Sequence, residues 1–318
     1  MKKKVTILML GGAKRVSLAR LLKEAGRRRG VEVVILSYEI IPTVPIACEG
    51  RIIAGRRWRD ADALDHLAQT VADEAVDIVL PFVDGAIEVA SRLKERCPQV
   101  FVPVSPFEVA HAMFDKTVAA ELFAEEGISI PATYTPDNCH FPAIMKPREG
   151  SASKGIVVVN SREELEKVGH FDRYLIQEYI ADSEEYTVDC YVSTVDGEVL
   201  CAVPRIRLST SGGEVDRTET RRIDELLEAS DSILRRLGFR GPVTLQFLFD
   251  KATGRYLLME INPRLGGGVV CSILAGADIP SMLLAEAAGE KAEPCRNWRD
   301  RALMARYFSE VMFFNDEQ

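Results

Sequence analysis

The sequence predicts an α/β unit followed by an α+β region, and three observations carry that reading. Short apolar runs alternate with amphipathic stretches through the amino-terminal third, the pattern of a parallel sheet covered by helices. From Glu185 onward strand patterns dominate, with helical stretches at 222–237 and 279–289, which calls for mixed or antiparallel sheet. At 318 residues the chain has room for two or three domains with a cleft between them.

Residues 5–10 form the first expected strand, followed by Gly11-Gly12 and a helix whose inner face carries Leu18, Leu21, Leu22 and Ala25. A second strand follows at 31–36. Further strands are expected at 51–54, 78–81 and 100–104, with helices at 60–74 and 84–96. Pro103 and Pro106 close this unit, and a helix is expected from Phe107 through Asp115-Lys116 to Glu126. The expected domains are 1–108, 109–180 and 181–318. The middle one reads as strand 143–146, a Gly/Ser loop at 147–155, strand 156–159, helix 162–168 and strand 174–180. The last one reads as strands 186–192 and 199–203, a polar stretch, helix 222–237, a hairpin within 243–262 and helix 279–289.

Composition narrows the function. Hydrophobic residues make up 47% and charged residues 28%, as in an ordinary folded chain. With 40 basic against 48 acidic residues the net charge is −8, which opposes nonspecific binding to nucleic acid or an anionic membrane. Seven scattered cysteines, without CxxC, indicate neither zinc nor a disulfide framework. The apolar run at 5–10 is too short for a secretory signal, and no window reaches the ~20 apolar residues of a membrane span. A cytoplasmic protein with reduced thiols is expected.

The richest segment is the hairpin. Side chains alternate faces along a strand, so Leu245, Phe247, Phe249, Leu257, Met259 and Ile261 are expected on one face. Thr244, Gln246, Glu260 and Asn262 fall on the other. If Gln246 lies opposite Glu260, the connecting loop is 251–255. One carboxylate and two amide oxygens suit a hard cation such as magnesium, whose remaining positions go to water and phosphate. Arg264 follows, able to stabilise charge on a phosphoryl group in transfer, and Gly266-Gly267-Gly268 allows close backbone approach to a ligand.

Met259-Glu-Ile-Asn-Pro-Arg-Leu-Gly-Gly-Gly resembles the metal-binding segment of the ATP-grasp ligases, and Gln246 makes it most similar to the carbamoyl phosphate synthase large-subunit branch. Upstream motifs follow in the order this resemblance implies. Lys116 resembles the first nucleotide lysine, and Lys146, ending Phe141-Pro-Ala-Ile-Met-Lys, resembles the second. Ser151, Ser153, Lys154 and Gly155 lie in a stretch similar to the phosphate-covering flap; it is no Walker motif. Glu178, Tyr179 and Ile180 resemble the linker that reads adenine, and Glu185 the ribose-binding carboxylate. The amino-terminal unit then resembles a pre-ATP-grasp domain.

The resemblance implies transfer of the γ-phosphoryl of ATP to a small carboxylic acid, followed by displacement with an amine or ammonia. Mg2+ or Mn2+ would serve, and a homodimer is the assembly considered. Such chemistry is positioning and charge neutralisation. No Ser-His-Asp or Cys-His arrangement is evident around His66, His111, His140 and His170, and none is required. Arg205 and Arg207 are candidates for binding substrate carboxylate or phosphate, and 210–220 for a loop over the acceptor pocket. The chain is far shorter than a carbamoyl phosphate synthase large subunit, which argues against that reaction itself. Two other classes compete: a nonenzymatic ATP sensor or assembly protein, and a nicotinamide-dependent oxidoreductase with Glu39 as ribose ligand. Residues 11–16 read GGAKRV, so the latter's GxGxxG fingerprint is broken.

Overall fold

The computed structural model describes residues 3–150 and 154–314. Three sheets organise the chain. The first is parallel, in the order β3-β2-β1-β4, from β1 (Lys4–Leu10), β2 (Glu32–Glu39), β3 (Arg51–Ala54) and β4 (Ile78–Pro81). Helices α1 (Val16–Arg28), α2 (Ala63–Asp73) and α3 (Asp84–Arg96) connect the strands. The expected strand at 100–104 shrinks to one parallel bridge, Ile78 to Phe101. Pro103 can donate no ladder hydrogen bond, which limits pairing there.

The expected helix after Pro106 divides into α4 (Phe107–Ala112) and α5 (Lys116–Glu125). The Asp115 side chain starts α5 by accepting from Thr117 N at 2.8 Å and Val118 N at 3.4 Å. A small antiparallel sheet follows, ordered β5-β8-β6-β7, from β5 (Thr133–Tyr134), β6 (Ala143–Pro147), β7 (Val157–Val159) and β8 (Tyr174–Glu178), with α6 (Arg162–Val168).

The third sheet is antiparallel, ordered β13-β12-β9-β10-β11-β14. Its strands are β9 (Ser183–Val192), β10 (Val199–Ser211), β11 (Glu214–Thr220), β12 (Gly241–Asp250), β13 (Arg255–Asn262) and β14 (Leu303–Ala305); α7 (Asp224–Arg236), α8 (Val269–Leu274) and α9 (Ile279–Ala287) accompany it. The stretch expected as a loop at 210–220 is a strand pair turning at Gly212 and Gly213, both at positive φ. Its polar composition hid the pairing: the inward-facing residues of the second strand include Thr218 and Thr220, buried yet polar.

One core joins Leu18, Leu22 and Ile35 of the amino-terminal unit to Leu265, Val269, Met282 and Leu283. A second packs α5 against the hairpin through Phe123, Phe247, Leu258 and Ile261. Among the described residues no helix is long and apolar enough to cross a membrane.

Candidate functional site

The hairpin register is the one the alternation implies at its carboxyl end: Thr244 faces Asn262, Leu245 faces Ile261 and Gln246 faces Glu260. The register then shifts, and Phe247 pairs with Leu258. This bulge at Met259 corrects two expected positions. Leu257 lies opposite Leu248 instead of sharing the face of Phe247, and Met259 leaves the apolar core. It lines instead a small pocket with Lys116, Leu175, Gln177 and Glu260. The loop accordingly spans 251–254, one residue shorter than expected.

On the polar face, Glu260 Oε1 accepts from Gln246 Nε2 at 3.4 Å and from the Asn262 side-chain amide. Asn262 Oδ1 accepts from Arg264 at 3.0 Å. Gln246 Oε1 is turned to Arg207, at 3.3 Å. Arg264 Nε is buried without a hydrogen-bond partner and lies 3.7 Å from Asp84 Oδ1.

The opposing wall comes from α5 and the small sheet. Lys146 Nζ donates to Gln177 Oε1 at 3.0 Å, and Lys116 Nζ donates to Gly150 O at 2.8 Å. Burial pushes the Lys146 ammonium down to about 8; Glu260 and Glu185 oppose the shift while Lys116 reinforces it. Lys146 therefore feels charges from both walls. Asp115 fixes the base of the following loop through Arg148, at 2.9 and 2.6 Å.

Glu178 ends β8, and its carboxylate accepts from Ala132 N at 3.5 Å. Tyr179 N donates to Pro142 O at 3.4 Å and Ile180 O accepts from Ser183 Oγ at 3.2 Å, so the linker leads directly into β9. Glu185, on β9, accepts from Arg207 at 2.6 Å. Lys154 is exposed and Gly155 adopts φ +74°. Ser151 and Ser153 lie outside the described residues.

Arg205 is not brought into the cleft. It shares a strand face with Arg207, but it is 1% exposed and its guanidinium is held by Asp189 at 2.7 and 3.1 Å. Thr218 Oγ1 accepts a further bond at 3.0 Å, and Ser272 on α8 binds the same Asp189. The loop at Gly268 covers the pair so closely that an added Cβ would lie 2.7 Å from the guanidinium. Two residues further along β10, Arg207 emerges beyond this cover.

Four charged residues that sequence reasoning did not single out complete the cleft. Arg15, in the β1–α1 loop, stands with its guanidinium 5.8 Å from the Phe82 ring centre. Arg306 donates to Glu214 at 2.8 Å and to the carbonyl of Gly267. Asp84, at the start of α3, approaches Arg264. The available signal was the Gly-Gly-Ala-Lys-Arg loop behind the first strand; for Glu214 and Arg306 there was none. Glu39, the alternative ribose ligand, is 9% exposed and accepts from Ser37 Oγ at 2.6 Å and from the amides of Gly12 and Ala13. Its carboxylate holds the loop. A surface concavity of about 570 Å3 is lined by Lys4, Thr6 and Glu32 at the other end of the parallel strands.

Two family models match the chain. One, described as ATP-grasp in the biosynthetic pathway with Ter operon, matches residues 170–308, and a RimK-like ATP-grasp domain matches 115–218. A probable alpha-L-glutamate ligase of Alkalilimnicola ehrlichii is 25% identical over 206 residues, covering 59% of this chain and 64% of the relative. A D-alanine–D-alanine ligase of Fusobacterium nucleatum is 27% identical over 169 residues, covering 48% and 56%. The chain thus spans less than two thirds of either relative. Among solved structures, the biotin carboxylase domain of the Hydrogenobacter thermophilus 2-oxoglutarate carboxylase, in complex with MgADP and bicarbonate, superposes with TM-score 0.73 at 17% identity, covering 95% of this chain and 74% of that one. Neither family model is described as carbamoyl phosphate synthase, so that narrower branch rests on Gln246 alone. Both models are ATP-grasp domains and together they match residues 115–308, so the chain belongs to the ATP-grasp superfamily.

Proposed function

We propose that the chain is an ATP-dependent ligase that joins a carboxylic acid to an amine or ammonia through an acyl phosphate, releasing ADP and phosphate. The observation that carries this reading is the convergence of Lys116 and Lys146 from one wall on Glu260, Asn262 and Arg264 from the other. A buried lysine depressed to about 8 is a cation waiting for an anion, and nucleotide phosphates supply one. The named relatives support the class, since both are amino-acid ligases. Gln246 supports the carbamoyl phosphate synthase-like branch as a subdivision.

In this reading Lys116 and Lys146 neutralise phosphate charge. Glu178, Tyr179 and Ile180 face the adenine edge and Glu185 the ribose hydroxyls. Arg207, bound to both Glu185 and Gln246, fixes the distance between the sugar side and the hairpin. Among the described residues no group of three or more His, Cys, Asp or Glu is placed to hold a metal ion, and the donors the hairpin offers are hard oxygens. A hard divalent ion held by Glu260 and Asn262, with substrate phosphates completing its shell, does fit. Gln246 fits such a shell less directly, because its oxygen faces Arg207. Bound there, Mg2+ or Mn2+ would supply charge neutralisation of the phosphates. Arg264 steadies the transferring phosphoryl group, and the amine then displaces phosphate from the acyl carbon.

ADP release, measured over a panel of acids paired with amino acids or ammonia, tests the reading. Release that requires both an acid and an amine is expected. Tight MgATP binding without turnover for any pair would leave a nucleotide-binding protein and sink the ligase assignment.

A further inference from the structure

We infer that the acid substrate carries a second anionic group, a carboxylate or a phosphate, bound by Arg15 and Arg306 beside Gly267. Three arginines from distant parts of the chain meet there: Arg15 from the β1–α1 loop, Arg264 after β13 and Arg306 after β14. A Cβ added at Gly267 would lie 3.0 Å from Arg15 and 3.3 Å from Arg306, so both guanidiniums close tightly over this loop and a side chain there would push them back by a few tenths of an ångström. Room, and not backbone conformation, is what constrains this position.

The charges around this point do not balance. Arg306 is paired with Glu214, but Arg15 has no ion pair or side-chain hydrogen bond among the described residues. Burial is the largest cause holding its guanidinium down, at about 10, and Arg264 and Arg306 add like-charge repulsion that Glu214 only partly offsets. Arg264 likewise keeps Nε buried and unbonded, with Asp84 no closer than 3.7 Å. Leaving a half-buried guanidinium without a hydrogen-bonded anion is unfavourable, whereas a planar carboxylate or phosphate can take two parallel donors from it.

Arg264 is already committed to the transfer site by its bond to Asn262. The pair left for a remote anion is Arg15 and Arg306. Glu214 stands in for that anion: it lies 3.8 Å from the Gly267 position and is the shared counter-charge of both arginines. A substrate anion entering here displaces Glu214 from Arg306, so the site selects acids that bring a full second charge over simple monocarboxylates. This deepens the ligase reading, and rests on it only in calling the ligand the acid substrate.

The test is direct binding, by calorimetry, to the full chain at fixed ionic strength, with and without magnesium and a nonhydrolysable ATP analogue. The probes are acetate, glutarate and 3-phosphoglycerate. Glutarate or 3-phosphoglycerate is expected to bind at least about 10-fold more tightly than acetate, the scale of one added charge-assisted pair; which of them binds identifies the second group. Arg15→Met is expected to abolish that preference, and Glu214→Gln, which removes the competing carboxylate without emptying the cleft, to sharpen it. Equal affinity for all three probes, or a preference unchanged in both variants, overturns the proposal. Failure of the ATP analogue to bind would overturn the ligase reading instead, whatever the anions do.

Discussion

Lys146→Met separates the energetic penalty of a poised cation from its use. Burial holds the Lys146 ammonium down from 10.5 to about 8, so the folded chain bears a charged lysine at a penalty of roughly 3 kcal/mol at neutral pH, at about 1.4 kcal/mol per pK unit. Methionine keeps the stem and removes the charge. It also forfeits the bond to Gln177, worth about 1 kcal/mol, so a net gain of roughly 2 kcal/mol is expected for the ligand-free protein. The sign follows from proton counting. Between about pH 8 and 10.5 the unfolded chain holds the proton that the folded chain has lost, so wild-type stability rises relative to the variant across that window. Below about pH 8 the full deficit is present. Urea unfolding of both proteins at pH 7 and pH 10 is the assay, and the variant should lead at pH 7 with most of the lead gone at pH 10. MgATP binding should fall by at least about 10-fold at pH 7. A variant less stable than wild type by the same amount at both pH values would refute the claim that burial of this charge is uncompensated.

Three further expectations follow from the same geometry. Glu260→Gln and Asn262→Ala should abolish ADP production while leaving the circular dichroism spectrum and melting temperature within a few degrees of wild type; ADP production undiminished in both would move the metal elsewhere. Arg205→Met should lower unfolding free energy by about 3–5 kcal/mol, because it strands Asp189 in a site only 1% exposed, whereas Arg207→Met should reduce turnover with a stability change under about 1 kcal/mol. Equal loss of stability in both would mean Arg207 is as structural as its neighbour. Gly268→Ala should also destabilise, since the new Cβ meets the fixed Arg205 guanidinium at 2.7 Å; an unchanged urea midpoint would show that this loop yields freely.

How far the sequence could be read depended on whether the deciding contact was local. Gln246 opposite Glu260 follows from period-two alternation and a short loop, both contained within twenty residues of chain. The bulge that turns Met259 into the pocket is invisible to that reasoning, because alternation assumes an unbroken ladder. Arg205 and Arg207 look alike in sequence and share a face. What separates them is Ser272 and Gly268, more than sixty residues away, folding over one and stopping short of the other. The same holds for the site as a whole. Lys116, Lys146 and Glu185 sit in recognisable local motifs, while Arg15, Glu214 and Arg306 become neighbours only when three separate segments close around Gly267.

The central claim is that this cleft activates a carboxylate by phosphorylation. Once ADP release has identified an acid, that acid labelled with 18O in its carboxylate, incubated with the enzyme, MgATP and the amine, gives the most direct measurement. One labelled oxygen should appear in the inorganic phosphate for each product formed, since the acyl phosphate breaks at the carbon. Product formation with unlabelled phosphate would contradict the account.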